Sequence, residues 1–139
     1  MQQLDQTTIP LRWLAMRGIA AILVAVAINT TILSFVERFA LVPPFGALTY
    51  PPVTFLTILG TIAATSVYGA ITRVWPYPDE LFLKVAIIVL GASFLPTLGL
   101  LQADPEANVG AVLVLLVFHV TTAAVCIWML TDRYSPLTP

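Results

Sequence analysis

The chain has 139 residues, of which 59% are hydrophobic and 9% are charged, and its net charge is −1. Soluble domains usually carry about 25% charged residues, so this composition excludes a water-soluble globular protein, and the net charge excludes the basic surface of a nucleic-acid-binding protein. A single cysteine and a single histidine exclude an internal disulfide and a structural zinc site. The mean hydropathy of +0.96 indicates that lipid surrounds most of the protein.

The first charge-free segment is "GIAAILVAVAINTTILSFV", residues 18–36, between Arg17 and the pair Glu37–Arg38. It is long enough to cross a bilayer as a helix. The sequence "AVA" at 25–27 resembles a signal-peptidase site, but the apolar segment continues well beyond it. We therefore predict a retained membrane anchor with a span of about 14–36.

The second charge-free segment, from Phe39 to Thr72, contains two proline pairs, Pro43–Pro44 and Pro51–Pro52. Proline starts helices better than it continues them, so we predict a helix over about 51–72. The residues before it then form an apolar loop. Because irregular backbone cannot face lipid tails, this loop is expected either in the headgroup region or folded back over the end of the bundle.

Two further spans follow, over about 82–102 and 109–131, and a short acidic loop connects them. Pro96 is expected to kink the third span and to free the carbonyl group of Ala92. Short connections make consecutive helices antiparallel neighbours. The predicted fold is an all-α antiparallel four-helix transmembrane bundle that forms a single domain over residues 1–139.

The basic residues predict the orientation of the bundle, because cytoplasmic loops are rich in lysine and arginine. With the N-terminus inside, only Arg38 faces out. We therefore expect both termini in the cytoplasm, with the protein in the cell membrane. The basic residues on the cytoplasmic side are then Arg12, Arg17, Arg73, Lys84 and Arg133.

Polar side chains within the spans mark the surfaces that face other helices, because small and hydroxyl-bearing residues mediate helix contacts in lipid. Our preferred interpretation is that they form interhelical hydrogen bonds. A second is a small polar ligand pocket, and a third is a haem or pigment bound through His119. We predict no cofactor, and no metal unless such a group is bound. The candidate pocket residues are Asn29, Thr57, Thr61, Thr65, Ser93, His119 and Thr122.

The sequence contains no pattern that indicates an enzyme. There is no Ser-His-acid combination, no metal-ligand cluster and no glycine-rich phosphate loop. No span carries a charged residue in its middle. The acidic residues at Asp79–Glu80 and at Asp104 and Glu106 are expected in loops as solvated charges, and Cys126 is expected to pack as a small hydrophobic residue.

The order of these features resembles a family of small prokaryotic four-span membrane proteins classed as domain of unknown function 6069. The resemblance rests on "AINTTILSF" in the first span, "PPVTFLTILGTIAATSVYGAI" in the second, "GASFLP" in the third and "FHVTTAAV" in the fourth. It covers about Ile19 to Leu130. It implies a four-span architecture in a membrane, and it implies no activity.

Our leading hypothesis is therefore a non-enzymatic multipass membrane protein. We expect its partners to be the lipid bilayer and either other membrane subunits or further copies of itself, and we expect no nucleic acid. The alternative is binding or transport of a small neutral or amphipathic ligand in the polar pocket, or a haem- or pigment-binding subunit.

Overall fold

The computed structural model describes residues 9–132 and 136, and this part of the chain forms four α-helices without strands. Each helix is long and apolar enough to cross a membrane. The all-helical four-span prediction is confirmed. The helices are α1 (Leu11–Arg38), α2 (Tyr50–Val74), α3 (Pro78–Ala103) and α4 (Val109–Leu130).

Prolines start three of the helices. Pro10 is the residue before α1, Pro51 and Pro52 lie in the first turn of α2, and Pro78 is the first residue of α3. Their fixed φ angle suits the first helical turn, where an amide donor is not needed. As a result α3 starts at Pro78, earlier than the predicted start at about 82.

The early start of α3 corrects the predicted position of two acidic residues. Asp79 and Glu80 lie in the first turn of this helix, not in a loop. The positive end of the helix dipole favours acidic side chains at that position. Asp104 and Glu106 follow α3, in the connection to α4 where they were predicted.

The helices pack in chain order around the bundle. α1 contacts α2 and α4, α3 contacts the same two helices, and α2 also contacts α4 across the middle. Within the described residues, α1 and α3 do not contact each other. Glycine allows a close approach between α1 and α2, since a Cβ atom on Gly18 would lie 2.8 Å from Cγ2 of Thr65.

The connection from α1 to α2 folds back over the end of the bundle. Phe45 and Leu48 in this loop are buried against Leu33 of α1, Val53 of α2 and residues of α4. Of the two arrangements considered from the sequence, the structure has the one that covers the bundle end. The apolar character of the loop follows from this packing.

Few residues attach α3 to the rest of the bundle. Its two buried residues are Phe82 and Thr97. The ring of Phe82 packs edge-on against Tyr68, with 5.1 Å between the ring centroids. The rest of α3 presents exposed or half-buried side chains, so this helix has the smallest buried share of the four.

Candidate functional site

Asn29 is the centre of the polar cluster in the bundle core. Its side chain is fully buried, and its Nδ2 donates hydrogen bonds to Oγ1 of Thr57 at 2.9 Å and of Thr122 at 3.0 Å. Its Oδ1 accepts a hydrogen bond from Oγ1 of Thr121. Both amide hydrogens and the carbonyl oxygen of Asn29 are therefore used, and they join α1 to α2 and α4.

Two of the other predicted pocket residues, Thr61 and Thr65, lie on α2 beside this cluster but bond within their own helix. Oγ1 of Thr61 donates to the carbonyl oxygen of Thr57, and Oγ1 of Thr65 donates to that of Thr61, both at 2.8 Å. Threonine hydroxyls inside helices often bond back to the preceding turn. In this arrangement, Thr65 serves as the surface against which Gly18 packs.

Ser93 and His119 are half-buried, and the hydrogen bonds that they make are also local. Oγ of Ser93 donates to the carbonyl oxygen of Leu90 at 2.6 Å. Nδ1 of His119 lies 2.7 Å from the carbonyl oxygen of Leu115. Since a carbonyl only accepts, Nδ1 carries the proton and Nε2 is the remaining ring nitrogen.

The structure thus brings together Asn29, Thr57 and Thr122 of the predicted set, and it adds Thr121, which sequence reasoning missed. Thr121 directly precedes Thr122 in the chain. The adjacent pair of threonines in the sequence is the signal that could have indicated Thr121. Since both hydroxyls reach one amide, the pair acts as a unit.

A second polar network lies at the opposite end of the bundle from the loop, and it contains Arg17. The side chain of Arg17, on α1, is fully buried, and its position on the cytoplasmic side stays a prediction. Its Nη1 lies 2.6 Å from Oδ1 of Asp132 and donates to the carbonyl oxygen of Leu130 at 3.1 Å. Arg17 therefore ties the first helix to the end of the fourth.

Asp79 connects the same network to the other two helices. Its Oδ1 accepts a hydrogen bond from the hydroxyl of Tyr68 at 2.7 Å and one from the backbone amide of Asp132 at 3.3 Å. Together with Arg17, these contacts join one end of all four helices. Arg133, which was also predicted to face the cytoplasm, lies outside the described residues.

The polar groups of these two networks connect the helices to one another. Their hydroxyl, amide and guanidinium groups exchange hydrogen bonds between helices. Within residues 9–132 and 136, no group of three or more His, Cys, Asp and Glu side chains is close enough to hold a metal ion. Cys126 is buried in the same apolar cluster as Leu14 and Tyr68.

The comparisons with known proteins agree with this architecture. No curated protein and no solved structure matches the chain significantly. The model of a family of unknown function, DUF6069, matches residues 9–136, which include all four helices. With four helices able to span a membrane and a match over nearly its whole length, the chain belongs to the DUF6069 family of proteins of unknown function.

Proposed function

We propose that this protein is a non-enzymatic structural or accessory subunit that acts through helix–helix contacts in the membrane, in a homo-oligomer or in a larger membrane complex. The observation that carries the proposal is the outward face of α3. Between Ile87 and Leu101, the exposed residues of this face are apolar side chains and two glycines, and only Phe82 and Thr97 are buried on the whole helix. A subunit that binds neighbouring helices needs such a surface.

The glycines of α3 support the proposal because they let another helix approach closely. A Cβ atom added to Gly91 or Gly99 would meet nothing within 4 Å, so both face open space. Close approach of backbones is a main source of helix association in lipid, where burial of apolar surface contributes little.

Pro96 lies between these glycines and removes one backbone hydrogen bond from α3. Proline has no amide hydrogen, so the carbonyl of Ala92 lacks its usual partner one turn later. Ala92 and Pro96 are both exposed on the outward face. Unsatisfied carbonyl groups in lipid are costly and are commonly covered by neighbouring helices.

The decisive experiment measures the subunit composition of the protein in mild detergent. We expect a complex larger than one chain, which Gly91→Leu combined with Gly99→Leu reduces to the monomer. Gly60→Leu is the matched control, because Gly60 also faces open space but on α2. A complex of one chain type indicates a homo-oligomer and a second chain type indicates an accessory subunit, whereas a wild-type monomer would refute the proposal.

The alternative of a cofactor-binding subunit depends on Nε2 of His119, the ring nitrogen left after the bond to Leu115. A haem or pigment held there would require a further ligand or a second copy of the chain. The absorption spectrum of the purified protein tests this alternative directly, because a haem or pigment absorbs at wavelengths longer than the aromatic band. A featureless spectrum in that region would remove it.

We further propose that the protein lies in the cell membrane with both termini in the cytoplasm. This is supported by Arg12, Arg73 and Lys84, which lie near the same end of the bundle as the described ends of the chain. Single cysteines at Glu106→Cys and Tyr77→Cys in a Cys126→Ala background test it. An impermeant maleimide added to whole cells should label the first variant and spare the second, and the reverse pattern would contradict it.

A further inference from the structure

A cavity of about 290 Å³ lies between the C-terminal end of α1 and the loop that follows it. Its inner wall is apolar and buried, with Leu33 and Val36 from α1 and with Phe45 and Leu48 from the loop. This volume is at the lower end of the range for small-molecule sites, and such sites are mostly apolar with a few placed polar groups. The cavity therefore suits one short hydrocarbon chain.

Glu37 contributes the charged side chain to the lining of this cavity. It is exposed at the rim, and its carboxylate makes no ion pair or hydrogen bond with the part of the chain that the structure describes. Arg38 is the next residue, but it does not line the cavity. The rim therefore presents an unpaired negative charge beside an apolar interior.

The helix end that α1 contributes to the cavity also favours a positive charge. α1 ends here, so the negative end of its dipole points to the rim. α2 begins here, but Pro51 and Pro52 in its first turn carry no amide hydrogens. The start of α2 thus has fewer amide donors for an anion than an ordinary helix start, and Glu37 is the acidic residue in the lining.

The backbone at the rim is held in an unusual conformation. Ala40 has a φ angle of 45°, and it is the one non-glycine residue with a positive φ among the described residues. It ends α1 in a Schellman arrangement, in which the amide of Leu41 donates to the carbonyl of Val36. This turn directs the loop back over the cavity and keeps Glu37 at its edge.

From these four features we infer that the cavity binds an alkylammonium group, with the hydrocarbon chain among Leu33, Val36 and Phe45 and the cationic head beside Glu37. This binding site is separate from the α3 surface and goes beyond a role in helix–helix contacts. The ligand is either a free lipophilic amine or a lipid whose headgroup carries an ammonium.

Photolabelling with a matched pair of probes tests this inference. A decyl diazirine with an ammonium head and the same diazirine with a carboxylate head are added to the purified protein in neutral maltoside micelles. The labelling of residues 33–49 is divided by the labelling of the outward face of α3. This ratio corrects for general partitioning of the probes into the micelles. We expect this ratio to be at least about fivefold higher for the ammonium probe. Equal ratios would overturn the inference.

Variants test the charge of Glu37 and the volume of the cavity separately. Glu37→Gln should lower the ratio for the ammonium probe about fivefold. Glu106→Gln, the matched control, removes an exposed acid from the other loop at the same end of the bundle and should leave the ratio unchanged. Val36→Phe should fill the cavity and lower the ratio for both probes. An unchanged ratio in Glu37→Gln or Val36→Phe would overturn the proposed binding mode.

Competition distinguishes the two sources of the ammonium group. Displacement of the bound ammonium probe by decylamine alone indicates a free amine, and displacement by phosphatidylethanolamine as well indicates a lipid. If neither compound displaces the probe at residues 33–49, the site does not bind alkylammonium groups.

Discussion

At the scale of single residues, the role of a polar group in this protein depends on the partner with which it forms a hydrogen bond. Asn29 uses its whole amide group on Thr57, Thr121 and Thr122. His119 is the more conspicuous residue in the sequence, yet its Nδ1 bonds to a carbonyl of its own helix. The residue type alone does not distinguish these two situations, because either side chain can bond locally or across helices.

Replacement of Asn29 by leucine should destabilise the bundle. Hydrogen bonds between transmembrane helices contribute roughly 0.6 kcal/mol each, so the loss of three should lower the free energy of unfolding by about 2 kcal/mol. Unfolding of the purified protein by SDS measures this value. Thr31→Val is the control, because the hydroxyl of Thr31 bonds only to its own helix. Equal losses in the two variants would contradict the role assigned to Asn29.

Replacement of Ala40 by glycine should stabilise the protein. A residue other than glycine in the left-handed region costs roughly 1–2 kcal/mol. Glycine avoids this cost, but its greater entropy in the unfolded chain offsets part of the gain. The net gain should be about 0.5–1 kcal/mol in the same SDS titration. Ala47→Gly in the same loop should instead destabilise, because Ala47 has no positive φ angle. A loss in both variants would count against strain at Ala40.

At the scale of helices, the same residue type has opposite consequences on different faces. Gly18 is buried against Thr65, and Gly69 packs against Leu14, so α1 and α2 approach closely at two points. Gly60 lies on the other side of α2, where a Cβ atom would meet nothing within 4 Å. Small residues in a span indicate helix contacts, but which glycine of α2 meets another helix depends on the rotation of α2.

Alanine substitutions at Gly18 and Gly60 should therefore have different effects on stability. Gly60→Ala should be neutral or stabilising, because alanine favours a helix over glycine by about 1 kcal/mol. Gly18→Ala should lower stability by roughly 1–3 kcal/mol, because the new Cβ atom overlaps the β-branched side chain of Thr65. Thermal unfolding followed by circular dichroism in detergent compares the two. A stable Gly18→Ala protein would show that α1 and α2 do not pack as described.

At the scale of the whole molecule, one end is held by charge and the other by the folded loop. Arg17 reaches Asp132 near the other terminus, and Asp79 adds α2 and α3 to the same network. Nε and Nη2 of Arg17 are buried and have no hydrogen-bond partner among the described residues. A buried charge of this kind depends strongly on its remaining contacts.

Removal of the carboxylate should therefore harm the protein more than removal of the guanidinium. Asp132→Asn leaves the cation of Arg17 buried with a weaker partner, which should cost about 2 kcal/mol. Arg17→Met removes the buried charge and keeps an apolar stem, so it should cost less. SDS titration of both variants and of the double variant gives the coupling energy. Additive effects would show that the two groups do not interact.

The class of fold was readable from local properties of the chain. A charge-free apolar segment of sufficient length must form a helix in lipid, whatever surrounds it, and proline pairs set where the second helix begins. The four spans, the loop between the first two and the family resemblance all follow from such short segments. Their ends shifted where prolines and acidic residues extended a helix beyond the apolar segment, as at Pro78 and Asp79.

The contacts between distant residues required the folded bundle. Asn29 and Thr121 are 92 positions apart, and Arg17 and Asp132 are 115 positions apart. These pairs depend on the rotation and the vertical offset of each helix. In lipid all faces of a helix are apolar, so hydropathy says little about rotation. Packing of small residues and satisfaction of buried polar groups set it instead, and both are properties of several helices together.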